Sequence, residues 1–221
     1  MPENKISINV KEIPVQDRYK LLIGSIVPRP IGFISTISLN GIYNLAPFSF
    51  FNGVCSDPMS VLFCPVIRAS DGQEKDTLKN IKATKEFVAN IVSEDFAPQM
   101  NQCSAEYPSQ IDEFKESGLT PMPSKIVKPP LVKEAKVNME CKLLHLVEVG
   151  NKTGGGTVVI GEVLYFHVRE DIYEDGKIIL GKLKPVGRLG GTSYCRVTDT
   201  FDLPRPTLKA PMPVGEAPNN K

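Results

Sequence analysis

The run Ile31-Gly-Phe-Ile-Ser-Thr-Ile-Ser38, followed by Leu39-Asn40-Gly41-Ile42, narrows most what this chain can fold into. β-Branched and aromatic residues dominate the run. Asn-Gly favours the positive φ angles of a tight hairpin turn, so two antiparallel strands are expected to meet here. Just upstream, Pro28 and Pro30 bracket Arg29 and hold it in an extended conformation. After the hairpin come Asn44 to Phe51 and then further strand patterns at Met59 to Cys64, Glu86 to Val92, Val137 to Val149, Thr157 to Val168 and Ile178 to Leu183. Helical patterns are short. Asp76 to Ala83 reads as a helix with Asp76 as its N-cap and Leu78 and Ile81 on its buried face. Asp95 to Glu106 and Ser109 to Ser117 read as two more, and Ser124 to Pro130 as a basic, proline-bearing connector. Many strands with no regular βαβ alternation predict a mainly β fold, a closed or partly closed β-barrel with helical insertions, and disfavour a doubly wound parallel sheet.

A chain of 221 residues can bury a substantial core without demanding two domains. The expected division is an N-terminal extension over 1–16, one domain over 17–202 and an extended arm over 203–221, where prolines recur at 204, 206, 211, 213 and 218. Lys and Arg total 26 against 25 Asp and Glu, so no long-range field recruits nucleic acid or anionic membrane, and any bound anion needs a local site. No apolar run approaches the ~18 residues of a membrane span. Met1 to Asp17 lacks the apolar middle of a secretory signal, and five scattered cysteines without a C-x-x-C pair suit a reducing compartment, so a cytoplasmic protein is expected.

Gly154-Gly155-Gly156 lies between two strands with no Lys-Ser or Lys-Thr after it, so it is read as a hairpin connection and not a phosphate loop. His145 and His167 sit in strand patterns without a third partner, and neither a metal site nor a nucleophilic triad is signalled. The chemistry-bearing cluster runs from Arg29 to Thr77. It offers hydroxyls at Ser35, Thr36, Ser38 and Ser49, cations at Arg29, Arg68 and Lys75, and a helix start at Asp76 and Thr77, the groups a phosphate monoester needs. Ala46-Pro-Phe-Ser-Phe-Phe51 lies between them and could wall a flat ring. A plainer reading stands beside it: hydroxyls on one face of a hairpin and two solvated loop charges.

Pro28-Arg-Pro-Ile-Gly-Phe-Ile-Ser-Thr36, Tyr43-Asn-Leu-Ala-Pro-Phe-Ser-Phe-Phe-Asn52, Asp57-Pro58, Lys75-Asp-Thr-Leu-Lys-Asn-Ile81 and Glu86-Phe-Val-Ala-Asn-Ile-Val92 follow one another as in the flavin reductase-like family, and more narrowly resemble a flavoredoxin-type member. The likeness continues through Glu140-Cys141, Gly161-Glu-Val163 with His167, and Arg188-Leu-Gly-Gly-Thr-Ser-Tyr194, spanning roughly 17 to 206. It implies an FMN-binding split barrel and a homodimer. It also implies FMN contacts from Arg29, Ser35, Thr36, Asn44, Ala46, Pro47, Phe48, Ser49, Phe50, Phe51 and Asn52, with Arg68, Lys75, Asp76 and Thr77 toward the phosphate and Tyr194 near the ring. Cys195 follows Tyr194 where some relatives carry histidine. The implied activity is electron transfer from NAD(P)H through FMN to an acceptor. A flavoredoxin-type carrier reduced by a protein partner, or the same barrel holding haem or pyridoxal phosphate, are the alternatives.

Overall fold

In a computed structural model, which describes residues 4–207, the Asn40-Gly41 turn joins β1 (Gly32–Ile37) to β2 (Tyr43–Phe48). Gly32 lies opposite Phe48 and Ile37 opposite Tyr43. Gly41 adopts φ 80°, a left-handed conformation that residues with a Cβ resist. Counting strands of three residues or more, there follow β3 (Phe51–Ser56), β4 (Met59–Phe63), β5 (Glu86–Ile91), β6 (Val137–Glu148), β7 (Thr157–Val168), β8 (Val186–Arg188) and β9 (Tyr194–Arg196). The first seven form one sheet in the order β2-β1-β5-β6-β7-β4-β3, with every neighbouring pair antiparallel.

The two edges of that sheet are consecutive in the chain. Laid flat, six inter-strand steps would separate β2 from β3 by roughly 29 Å. The link from Phe48 to Phe51 is three Cα steps, at most about 11 Å. The sheet must therefore roll up, and its inner face confirms it: Ile34, Phe48, Phe51, Phe63, Phe87 and Met139, from strands across the whole order, pack in a single core. Gly32 lets the roll close, since a Cβ there would lie 2.5 Å from the Phe51 ring.

The helices are α1 (Val15–Ser25), α2 (Asp76–Thr84), α3 (Ala97–Gln102), α4 (Glu113–Ser117) and α5 (Leu180–Leu183). A second core lies on the outer face, where Ile31, Phe33 and Leu45 pack against Phe96, Met100 and Phe114 of the α3 and α4 region. The stretch over 15–25, for which the sequence pattern predicts no element, is helical. Three further elements differ from the sequence expectation. Asp76 is the first residue of α2 and not its cap, because the extended backbone of Lys75 (φ −61°, ψ 143°) puts the cap one residue earlier; the Asp76 carboxylate pairs with Lys79 at 2.9 Å. The two helices expected between 95 and 117 shorten to α3 and α4, the latter capped by Asp112, which accepts the Phe114 N–H at 3.0 Å. The strand expected over 178–183 is cut short at Ile178, which pairs with Tyr173, and α5 follows, its last carbonyls at Lys182 (2.8 Å) and Leu183 accepting from the Lys136 ammonium. Residues 203–207 have no regular structure, and the rest of the proline-rich arm, 208–221, lies outside the described residues.

Candidate functional site

β2 is an edge strand, so one side of its backbone is free to border a site. Alternation along it sends Asn44, Ala46 and Phe48 to one face. Over that face stand the start of α2 and the connection from α3 to α4. Together they border an open cleft lined by Ala46, Pro47 and Phe48 at one end and by Arg68, Lys75, Asp76 and Thr77 at the other.

The floor is a buried polar chain centred on Asn44. Its amide oxygen accepts from the hydroxyls of Thr77 (2.7 Å) and Thr36 (3.1 Å), and its amide nitrogen donates to Glu113 Oε1 (2.7 Å). Glu113 Oε2 accepts the Leu45 N–H (3.1 Å), so one carboxylate fixes both the strand and the orientation of the Asn44 amide. Burial pushes the Glu113 carboxyl above its ordinary value against these bonds.

At the other end, the α2 N-terminus has no side-chain cap, and the N–H groups of Asp76 and Thr77 have no acceptor within the helix. Arg68 pairs with Asp71 (2.9 Å) and approaches Asp76 (3.8 Å), while Lys75 lies 3.5 Å from Glu106. Ser70 donates a second bond to Glu106, and this bond is the leading cause that holds the Glu106 carboxyl below its ordinary value. Around this helix start, cations and carboxylates balance one another.

The cleft thus gathers Asn44, Ala46, Pro47, Phe48, Arg68, Lys75, Asp76 and Thr77 from the sequence-derived set, and Thr36 stands directly behind Asn44. The remaining members lie elsewhere. Ser35, one step along β1, is fully buried on the opposite face, its hydroxyl donating to the Pro130 carbonyl at 2.5 Å. Arg29 is buried and spends its guanidinium on the carbonyls of Ile23 (2.7 Å), Ile26 (2.7 Å) and Leu189 (2.9 Å) and on Ser49 Oγ (3.2 Å). Phe51 fills the barrel core, Phe50 gives its carbonyl to the Cys64 N–H, and the Asn52 amide oxygen accepts the Gly53 N–H. Tyr194 lies under the Arg188 guanidinium, 4.4 Å from its ring centroid, and donates to Asn101.

Sequence reasoning missed the third wall, Cys103 to Tyr107 and Glu113. These residues lie far from the hairpin in sequence and carry no motif. The Asp112 cap before Glu113 was the one local signal available. Among the described residues, no group of three or more His, Cys, Asp and Glu side chains is placed to hold a metal, and no helix is long and apolar enough to cross a membrane.

The family model for the flavin reductase like domain matches residues 23–182, which span the barrel, the cleft and the helical insertions. The chain belongs to the flavin reductase-like family. An uncharacterized protein of Aquifex aeolicus is 46% identical over 188 residues, 85% of this chain and 93% of that one. Among solved structures, nitrilotriacetate monooxygenase component B from Bacillus cereus superposes with a TM-score of 0.87 at 36% identity, covering 91% of this chain and 100% of that one. The 2-nitrobenzoate 2-nitroreductase NbaA of Pseudomonas fluorescens does so with a TM-score of 0.82 at 31% identity, over 91% and 97%. The fold of this flavin reductase-like protein is accordingly a split barrel, as the family resemblance implied and in keeping with the barrel expected from the strand pattern.

Proposed function

We propose that this flavin reductase-like protein binds FMN in the cleft beside β2 and, as a cytoplasmic homodimer, passes electrons from NAD(P)H to an acceptor. The observation that carries the reading is the polarity of the cleft: an apolar wall at Ala46, Pro47 and Phe48, and an anion-binding end at Arg68, Lys75 and the start of α2. Two structural relatives above 30% identity are named for redox systems, a monooxygenase component and a nitroreductase, which favours an oxidoreductase.

The donor set suits FMN on an independent count. A ring needs a flat apolar surface and a phosphate monoester needs cations and free N–H groups, and the cleft has each at a different end. Arg68, Lys75 and the N–H groups of Asp76 and Thr77 would hold the phosphate, and Ala46, Pro47 and Phe48 would face the ring. Asn44, locked by Glu113, and Thr77 would orient the chain between them. When bound, FMN supplies reversible hydride acceptance, so the protein needs no nucleophile of its own. The tasks left to the side chains are binding, orientation and exclusion of water.

Five free thiols suit a reducing cytoplasm. Apolar side chains exposed on β3, β4 and β7, at Val54, Met59, Leu164 and Phe166, favour a second copy covering them. The deciding experiment is anaerobic: the protein is saturated with FMN, separated from free flavin, and mixed with NADH or NADPH while the visible band is followed. Bound flavin that bleaches supports the reading. Flavin that fails to bind overturns it, and flavin that binds but is reduced only by a protein donor makes the protein a carrier.

A further inference from the structure

The hydrogen bonds in the cleft floor all run one way, and they end on Glu113. An ionised carboxylate only accepts, so the side of the Asn44 amide turned toward Glu113 Oε1, 2.7 Å away, must be its NH2. The amide oxygen is thereby turned to Thr77 and Thr36, and each hydroxyl gives it its single proton, at 2.7 and 3.1 Å. Asn80 in turn donates to Thr36 at 3.0 Å. Two chains of donors, one from Thr77 and one from Asn80 through Thr36, converge on one buried charge.

The consequence appears at Thr77, which lines the cleft beside the start of α2. Its proton is committed to the floor, so its oxygen has only lone pairs left for a ligand. A group placed there must be a donor, as a hydroxyl of a polyol chain is. Bonds in such a chain polarise one another in a buried setting, so the terminal charge strengthens the acceptor at Thr77. A neutral group at 113, whether a protonated carboxyl or an amide, has one donating and one accepting end. The Leu45 N–H takes the accepting end, at 3.1 Å, because that bond holds the strand. The donating end then meets the Asn44 NH2, and the chain loses its direction.

We infer that Glu113 is a positioning residue that acts on the ligand through Asn44 and Thr77, its negative charge making Thr77 the acceptor for a hydroxyl of the flavin side chain. The inference rests on the FMN reading of the cleft. Several charged or titratable groups surround Glu113. From α2 and the residues before it come Arg68, Lys75, Asp76 and Lys79, from the connection after α3 Cys103, Glu106 and Tyr107, from β2 Tyr43, and from α4 itself Asp112, Lys115 and Glu116. The bond from Ser70 holds Glu106 below its ordinary value and burial pushes the Cys103 thiol up to about 11, so neither changes charge between pH 5 and 8. Glu113 is the carboxyl that burial raises.

The experiment titrates riboflavin and FMN into the flavin-free protein at pH 8 and pH 5, for wild type, Thr77→Val, Glu113→Gln and the double variant. The quantity read is the ratio of affinities with and without the Thr77 hydroxyl, in which the titration of the FMN phosphate cancels. With Glu113 present the ratio is expected to be about tenfold at pH 8. It should fall toward one at pH 5, because the effect is full above the folded-state value of Glu113 and is lost as pH falls through it. In the E113Q background it should be close to one at both pH values. A ratio that stays at its pH 8 value when acidified, or that survives in E113Q, gives Glu113 a merely structural role and overturns the inference, as does a ratio of one throughout. Should E113Q fail to fold by circular dichroism, the pH dependence of the ratio at Glu113 decides alone. If wild type binds neither flavin at pH 8, it is the FMN reading that falls.

Discussion

At the proposed phosphate end the residue to test is Lys75, and its partner in the structure is a carboxylate of the chain itself. The Glu106 carboxylate takes a bond from Ser70 and lies 3.5 Å from the Lys75 ammonium, so a negative group already stands where a phosphate would be attracted. Phosphate binding must exchange one anion for another. Lys75→Ala is therefore expected to weaken FMN by roughly 10- to 100-fold, about 1.5–3 kcal/mol for a charge-assisted bond, while riboflavin, which lacks the phosphate, is unaffected. Glu106→Gln should act in the opposite direction, tightening FMN by a few-fold, the scale of one half-exposed ion pair, again with no change for riboflavin. Isothermal titration with both ligands tests the pair of variants, and equal effects on FMN and riboflavin would remove Lys75 and Glu106 from the phosphate end. At this scale it is also plain why half of the sequence-derived residues gather at the candidate cleft. Asn44, Pro47, Lys75 and Thr77 belong to compact motifs, and the motifs carry their positions with them. Ser35 and Thr36 do not separate so easily, because adjacent strand residues face opposite sides and composition cannot say which side is the cleft. Arg29 looked like a free cation on a stiff segment, yet its donors satisfy carbonyls that the sequence could not show to be nearby.

Between elements, the connector before β6 has a structural task that its sequence did not announce. Over 124–135 it crosses the outer face of the sheet and is tied down by a stripe of buried polar side chains. Ser35 bonds the Pro130 carbonyl, Asn90 accepts the Val132 N–H (3.1 Å), and Asn138 donates to the Val132 carbonyl (3.0 Å). Glu140 is the strongest tie, taking the N–H groups of Lys125 (2.7 Å), Ile126 (2.7 Å) and Val127 (3.2 Å) and a 2.6 Å contact with His167 Nε2. Burial alone would raise this carboxyl, but the backbone donors and His167 outweigh it and hold it below its ordinary value. Because the folded-state value is the lower one, the stabilisation is fully present above pH ~4.3 and is lost as pH falls through the folded-state value. Glu140→Gln keeps one acceptor and loses the charge, so it should cost roughly 1–3 kcal/mol at pH 7. The gap to wild type should narrow as the medium is acidified below pH ~4. Urea unfolding at the two pH values measures it, and a gap that stays constant would mean that the carboxylate charge contributes nothing to holding the connector. Polar residues inside strand patterns were the available signal for this stripe, but a half-buried strand with a solvated face produces the same pattern.

For the molecule as a whole, the barrel and the groove depend on the same seam. β2 and β3 are sheet edges that meet through Ser49 and Phe50, and no ladder pairs them, so side-chain packing must hold the roll closed. The Phe51 ring against Gly32 is that packing: a Cβ on Gly32 would meet the ring at 2.5 Å, leaving no room for both. Gly32→Val is therefore expected to destabilise the fold by about 1–3 kcal/mol through overpacking. It should also reach the site, because Phe48 pairs with Gly32 across the hairpin and also lines the apolar end of the cleft. FMN and riboflavin should then weaken together, unlike the response to Lys75→Ala, since the ring end moves and the phosphate end does not. Gly53→Ala is the matched control, on the same edge strand as Phe51 but with nothing within 4 Å of an added Cβ, and should change neither stability nor binding appreciably. Thermal unfolding together with the two flavin titrations decides the matter. A Gly32→Val protein as stable as Gly53→Ala would show that the seam tolerates a wider opening than the Phe51 contact allows, and that the position of β2 beside the cleft is fixed from the helix side alone.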